Sequence, residues 1–190
     1  MPLDSLARLA IAAVFTGLMA WGAVSDVRRR LIPNRVVLAI LALWLPFALA
    51  NGFEGWLSAL EAFALALALS MALWAGRIIG AGDSKLFAAA ALYMGMGFLP
   101  AFALATALAG GCVALVSIAS RGPQKAFAMI MLRGQGDWGP GVPYGVAIAA
   151  GAVAVMWAGL FDGLQPIAWL GATRAVAGML HPVFYRTPLL

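Results

Sequence analysis

Six long apolar stretches take up most of this chain and constrain its fold more than any other feature. A helix needs about 20 apolar residues to cross a bilayer core of about 30 Å, and each stretch is of spanning or near-spanning length. With 64% hydrophobic and 10% charged residues, the chain is expected to be an integral membrane protein. We therefore predict an all-α, polytopic membrane helical bundle of about six transmembrane helices within residues 1–161. The stretches cover residues 6–24, 36–50, 57–75, 86–99, 101–119 and 142–161.

Several shorter features add detail to this six-helix prediction. The second and fourth stretches are short for a bilayer, so tilt of neighbouring helices, local thinning or burial in the bundle must accommodate them. Pro100 is predicted to separate the fourth stretch from the fifth. The segment 125–133 has a charge at each end and a bulky apolar middle, which predicts a short helix on the membrane surface. The C-terminal tail, 162–190, is expected to form either an interfacial helix or a poor seventh span.

The basic residues are distributed unequally over the connecting loops, with nine on one set of alternate loops and three on the other. Because Lys and Arg are enriched in cytoplasmic loops, we predict that the larger set faces the cytoplasm and that the N-terminus lies outside. The net charge of +5 then reflects topology rather than nucleic-acid binding. A cleaved signal peptide over 1–23 is an alternative, but the arginines that follow it resist translocation. The larger set is Arg28, Arg29, Arg30, Arg35, Arg77, Lys85, Arg121, Lys125 and Arg133, and the smaller set is Arg8, Arg174 and Arg186.

Two polar motifs interrupt the apolar sequence, and each contains one aspartate. Asp26 lies at the end of the first stretch, within 26–34, and Asp83 precedes the fourth, within 80–85. A carboxylate at a membrane boundary is costly, so its default interpretation is functional. The predicted topology places both aspartates at the cytoplasmic face. Each also has a structural explanation, Asp26 as a helix-end charge beside the arginines at 28–30 and Asp83 as the N-cap of its helix.

Two neighbouring carboxylates can perform acid–base chemistry without a metal. Because both cannot ionise cheaply, one keeps a proton near neutral pH. The charged group can then deprotonate a water molecule while the protonated group polarises an amide carbonyl, as in aspartic proteolysis. Cys112 and His181 are the only cysteine and histidine, which excludes a cysteine-based zinc site and a histidine cluster. We therefore expect no metal and no cofactor.

The residues around the two aspartates have predicted supporting roles. Gly80 and Gly82 lack side-chain bulk, so an extended peptide could approach the second aspartate closely. Pro33 stops continuation of the first helix, and Asn34 can cap the second. Lys85 either orients the loop of the second motif or anchors it at the cytoplasmic face.

The order of these motifs resembles that of the type IV prepilin peptidases, which are bacterial Gly-x-Gly-Asp membrane aspartic proteases. Presenilin and signal peptide peptidase share the Gly-x-Gly-Asp element, but they pair it with a Tyr-Asp motif and a Pro-Ala-Leu motif that are not found here. The resemblance covers about residues 6–161. The matching segments are Asp26 with Ile32-Pro33-Asn34, then 80–86, and finally Pro143-Tyr144-Gly145 before an apolar span.

This resemblance implies that Asp26 and Asp83 are the catalytic pair and that Gly80 and Gly82 shape the second motif. It implies a multi-pass protein of the bacterial inner membrane that removes the short basic leader from prepilins at the cytoplasmic face. The expected partners are a prepilin or pseudopilin helix and membrane lipid, with no nucleic acid. The sequence lacks the Cys-x-x-Cys domain of the larger bifunctional members and is similar to the compact peptidases of tight-adherence (Flp-type) pilus systems. N-methyltransferase activity is therefore not expected.

Two other functions stay open on sequence alone. A small proton- or cation-coupled transporter would also use membrane aspartates, but it would place them near the middle of the membrane and not at one face. A non-catalytic assembly subunit would tolerate the loss of both aspartates. The sequence also leaves open which prepilin is cut and at which bond, which aspartate is acid or base, the oligomeric state and the role of 162–190.

Overall fold

The computed structural model of the chain describes residues 3–121 and 144–161. The described residues form helices and short turns and contain no strand, which confirms the predicted all-α fold. The predicted surface segment at 125–133 and the tail at 162–190 lie outside the described residues. The helices are α1 (Leu3–Arg29), α2 (Asn34–Ala50), α3 (Trp56–Ala75), α4 (Ala81–Arg121) and α5 (Tyr144–Phe161).

The apolar helices are those of a membrane protein. By length and composition, three helical stretches are able to cross a bilayer, namely Leu6–Arg29, Trp56–Ala75 and Ala81–Val116, and the last of these contains a reversal at Gly95. The helices α2 and α5 are also apolar but shorter, with 17 and 18 residues. Helix length therefore supports membrane insertion, while the number of six spans stays a prediction.

The longest helical stretch, α4, consists of two limbs that fold back on each other at Gly95. Gly95 has φ 60° and ψ 177°, a conformation that is essentially confined to glycine. The rings of Phe87 and Phe102 stack with their centroids 4.7 Å apart. A straight helix would separate these two positions by about 22 Å, so the chain must reverse between them. The predicted break at Pro100 was wrong, because Pro100 lies inside the second limb.

The reversal at Gly95 is stabilised by a neighbouring helix. The backbone N–H of Met96, which opens the second limb, donates to Ser58 Oγ at 3.0 Å. This contact supplies a partner for one of the N–H groups that the first turn of a helix leaves unpaired. Pro100 lies in the second turn of this limb, where its missing N–H removes one helical hydrogen bond, to the carbonyl of Met96. A glycine turn and a cap from α3 thus end the first limb earlier than the proline suggested.

Contacts between helices define two ends of the bundle. At one end Asn34, the first residue of α2, contacts Lys85 in the first limb of α4. We call it the aspartate end, because both aspartates lie there. At the other end, which we call the distal end, Arg8 of α1 contacts Ala50, the last residue of α2. The helices therefore run back and forth between these ends, and the reversal inside α4 keeps that alternation.

The core packs the first limb of α4 between its neighbours. The ring of Tyr93 lies 4.6 Å from that of Phe15 and 5.1 Å from that of Phe47, and its hydroxyl donates to the carbonyl of Ile40. Four consecutive alanines at 88–91 are at most 1% exposed. Small residues let helices approach closely in membranes, where packing drives association. The limb that begins near Asp83 is thereby fixed at the centre of the bundle.

Candidate active site

Asp26 is held at the end of α1 by the start of α5. Its side chain is only 7% exposed, and its Oδ2 accepts a hydrogen bond from the backbone N–H of Gly145 at 2.9 Å. The first N–H groups of a helix lack partners within the helix, and the helix dipole favours a carboxylate there. Arg28 and Arg29 are exposed, and the hydrogen bond from Gly145 ties the Asp26 carboxylate to α5.

Gly145 allows this contact because it has no side chain. A Cβ at this position would lie 2.9 Å from Oδ2, 3.0 Å from Cβ and 3.1 Å from Cγ of Asp26. All three distances are shorter than ordinary van der Waals contact, so no larger residue fits without displacing the carboxylate. The sequence contained a signal, a glycine placed directly at the start of an apolar span, but sequence reasoning did not assign Gly145 a role. Pro143 lies outside the described residues.

Asp83 is positioned by its own helix start. It is the third residue of α4, and its Oδ2 accepts a hydrogen bond from the backbone N–H of Gly80 at 3.3 Å. This is the capping-box arrangement, in which the third helical residue bonds back to the N-cap. The interpretation of Asp83 as the N-cap was therefore wrong, since Gly80 occupies that position. A Cβ on Gly80 would lie 2.9 Å from Oδ2 of Asp83.

The fold brings the two aspartates together. Asp26 and Asp83 come from helices that are far apart in sequence, and their carboxyl groups lie close enough to interact electrostatically. Asp26 is buried, whereas Asp83 is partly exposed. The pair therefore combines one carboxyl group fixed by a long-range contact with another at the surface of the same site.

The residues that flank the aspartates also contact each other. A Cβ on Gly82 would lie 3.2 Å from Cβ of Ile32, so glycine allows the start of α4 to pack against the α1–α2 turn. Lys85 Nζ donates to Asn34 Oδ1 at 3.4 Å, and both side chains are exposed. The N-cap of α2 is Pro33, and no side chain caps this helix. The prediction that Asn34 caps α2 was therefore wrong.

Sequence reasoning missed a buried serine pair beneath the second motif. Ser84 Oγ lies 3.1 Å from both the Ser70 carbonyl and the Gly80 carbonyl, and Ser70 Oγ donates to the Ser84 carbonyl at 3.2 Å. Ser84 is fully buried and Ser70 is 2% exposed. The pair joins the end of α3 to the turn that presents the second aspartate. An isolated serine in an apolar stretch was the available signal.

The chemistry that this site offers is that of paired carboxylates. Within 3–121 and 144–161, no group of three or more His, Cys, Asp or Glu could hold a metal ion. Two carboxyl groups that share a proton supply a base and an acid in one place. The glycines beside them leave room for a peptide backbone to approach.

Comparison with known proteins supports this interpretation. A sequence model of the type IV leader peptidase family matches residues 13–115, more than half of the chain, and the match contains both aspartates. No curated protein and no solved structure matches the chain at a comparable significance.

Proposed function

We propose that this chain, which belongs to the type IV leader peptidase family, is a membrane aspartic endopeptidase whose catalytic pair is Asp26 and Asp83. Family membership makes the chain a peptidase and confirms the resemblance found in its motifs. The aspartic mechanism, the two residues and the side of cleavage are inferred from the site.

One observation supports the catalytic pair above all others. Two carboxyl groups from separate helices interact electrostatically at the same end of the bundle. Each also accepts a backbone N–H, from Gly145 for Asp26 and from Gly80 for Asp83. A purely structural acid needs no second acid beside it, and placing two together costs stability unless the pair has a use.

The proposed reaction follows from the shared proton. The ionised carboxylate removes a proton from a water molecule, whose oxygen attacks the scissile carbonyl carbon. The protonated carboxyl group donates a hydrogen bond to the carbonyl oxygen, where negative charge develops. Collapse of the tetrahedral intermediate breaks the C–N bond, and a proton from the pair goes to the leaving amine. The pair titrates as a unit, so neither aspartate is assigned one role.

The proposed substrate is a type IV prepilin of the Flp type, or a pseudopilin, in the bacterial inner membrane. Its apolar helix would lie beside the bundle while its short basic leader extends past the aspartate end into the cytoplasm. The exposed Arg28 and Arg29 at this end fit an orientation towards lipid phosphates and away from a basic leader. The proposal includes an N-terminus outside the cytoplasm and no N-methyltransferase activity.

The position of the two aspartates favours a peptidase over a transporter. A carrier would need acids near the middle of the membrane, reachable from both sides. Both carboxyl groups lie at one end of the bundle. The described segments beside them contain six basic residues, namely Arg28, Arg29, Arg30, Arg35, Arg77 and Lys85.

The decisive experiment is cleavage of a candidate Flp-type prepilin by the purified protein in lipid vesicles. Asp26→Asn and Asp83→Asn are each expected to abolish leader removal, because the amide can neither act as the base nor share the proton. Glu61→Gln is the matched control, since it also converts an exposed acid of the bundle into an amide but lies on α3, away from the pair.

The result that would overturn the proposal is complete leader removal by either aspartate variant at normal expression. Circular dichroism and size-exclusion chromatography of both variants separate loss of catalysis from loss of folding. Mass spectrometry of the products identifies the bond that is cut and, with a sulfonium methyl donor added to the assay, shows whether the new N-terminus gains a methyl group.

A further inference from the structure

A partly open cavity lies at the distal end of the bundle, far from the two aspartates. Its volume is about 120 Å³, and residues of α1, α2, α4 and α5 line it. Phe47, Phe98 and Leu160 contribute to a mostly apolar wall, and Arg8 and Asn51 contribute polar groups. Because one water molecule occupies about 30 Å³ in the liquid, the cavity has room for a phosphate-sized group.

No described residue that lines this cavity balances the charge of Arg8. Its Nε is buried and has no hydrogen-bond partner. One terminal nitrogen donates to the Ala50 carbonyl, but at the long distance of 3.5 Å. None of the described residues that line the cavity is acidic. A guanidinium group stays charged at any pH relevant here. Arg8 as a whole is half-buried, so the cost falls on the part of its charge that is shielded from water without an anion.

The surroundings of the cavity indicate the level of the lipid headgroups. Trp56 begins α3 just after the turn that follows α2, and it is 50% exposed. Tryptophan is enriched where the membrane meets water. Asn51, which lines the cavity, immediately follows the last residue of α2. An anion that reaches Arg8 therefore approaches from the headgroup region.

We propose that this cavity binds the phosphate of an anionic phospholipid headgroup, with Arg8 as the residue that recognises it. The planar guanidinium presents N–H donors in the fork geometry that matches phosphate oxygens, and its unpartnered Nε supplies one of them. The apolar wall around Arg8 accommodates the glycerol and the first acyl carbons. This lipid site is independent of the peptidase reaction and would connect α1 to the ends of α2 and α5.

The test uses the purified full chain in vesicles of phosphatidylcholine alone or with one quarter phosphatidylglycerol. Native mass spectrometry counts the retained lipids, and thermal unfolding measures stability. The wild type is expected to retain phosphatidylglycerol at least about fivefold over phosphatidylcholine and to unfold at a higher temperature in its presence. Arg8→Gln is expected to lose both effects. Arg29→Gln, an exposed arginine at the aspartate end, is the matched control and should keep them.

Three outcomes would overturn the proposal. Equal retention of the two lipids by the wild type would show that Arg8 serves only to cap the end of α2. Full stabilisation by inorganic phosphate in pure phosphatidylcholine would assign the cavity to a free anion and not to a lipid. A preference that survives Arg8→Gln would place the lipid elsewhere. If Arg8→Gln does not fold, Arg8→Lys is the second variant, because lysine keeps the charge but lacks the forked donors of the guanidinium group. An unchanged preference of Arg8→Lys for phosphatidylglycerol would also contradict the proposed recognition.

Discussion

Replacing Gly145 by alanine tests whether the close approach of α5 positions Asp26, one of the two proposed catalytic carboxylates. The added Cβ would lie 2.9 Å from Oδ2 of Asp26, about half an ångström inside ordinary contact. The carboxyl group must move away, and the 2.9 Å hydrogen bond from the Gly145 N–H must lengthen. A displacement of about 1 Å can cost about 100-fold in rate, so we expect Gly145→Ala to slow leader removal by about 10- to 100-fold.

The stability of Gly145→Ala should change much less than its activity. Overpacking costs about 1–3 kcal/mol, but alanine is favoured over glycine in a helix by about 1 kcal/mol. The assay is the initial rate of prepilin cleavage in vesicles, normalised to folded protein and measured together with thermal unfolding. The expected signature is a large loss of rate with a small change in melting temperature.

Two other glycines provide matched controls. A Cβ on Gly17 of α1 would meet no atom within 4 Å, so Gly17→Ala should cleave like the wild type. A Cβ on Gly151 of α5 would lie 2.7 Å from the backbone nitrogen of Thr106, so Gly151→Ala should lose stability while each folded molecule keeps its activity. Cleavage by Gly145→Ala within threefold of the wild type would show that activity does not depend on the close contact between Gly145 and Asp26. If Gly145→Ala and Gly151→Ala were equally stable and lost the same amount of rate, Gly145 would contribute only to helix packing and not to the position of Asp26.

Three further predictions concern the supporting residues. Gly80→Ala should slow prepilin cleavage by about 3- to 10-fold, less than Gly145→Ala, because the partly exposed Asp83 can rotate away from the new Cβ. Ser84→Ala removes the hydroxyl that lies 3.1 Å from the Ser70 and Gly80 carbonyls and should destabilise the protein by about 0.5–1.5 kcal/mol in thermal unfolding, whereas an unchanged stability would contradict the role of this hydroxyl in joining α3 to the second motif. Gly95→Ala forces alanine into φ 60° and should cost about 1–3 kcal/mol in the same measurement, and an unchanged melting temperature would argue against the reversal at this residue.

The features that sequence predicted well are those with a local physical cause. Long apolar stretches determine helices in a membrane because backbone groups have no other partner there. Successive helices in such a bundle run in opposite directions, which is why Asp26 and Asp83 could be expected at the same end. The turn inside α4 shows the limit of local reasoning. Pro100 is the stronger helix breaker in isolation. The chain nevertheless reverses at Gly95, because Ser58 of α3 accepts a hydrogen bond from the backbone N–H of Met96 that the reversal leaves without a helical partner.

The features that sequence could not predict depend on contacts between distant residues. Gly145 lies 119 positions from Asp26, and Ser70 lies 14 positions from Ser84 across a turn. Nothing in either local sequence specifies its partner. The same holds for Arg8. It was counted among the basic residues that indicate membrane topology, but nothing in the sequence indicates that it lines a cavity. Such pairs follow from how the helices pack.

The two carboxyl groups differ in what holds them, and this difference predicts how the site fails. Asp83 is bonded to Gly80, three residues earlier, so its position depends mainly on the first turn of α4. Asp26 is bonded to Gly145 on α5, so its position depends on the assembly of the whole bundle. A change that loosens the packing of α5 against α1 should therefore displace Asp26 while Asp83 keeps its place. Since the proposed mechanism needs both groups at reacting distance, loss of activity should precede global unfolding when the protein is heated.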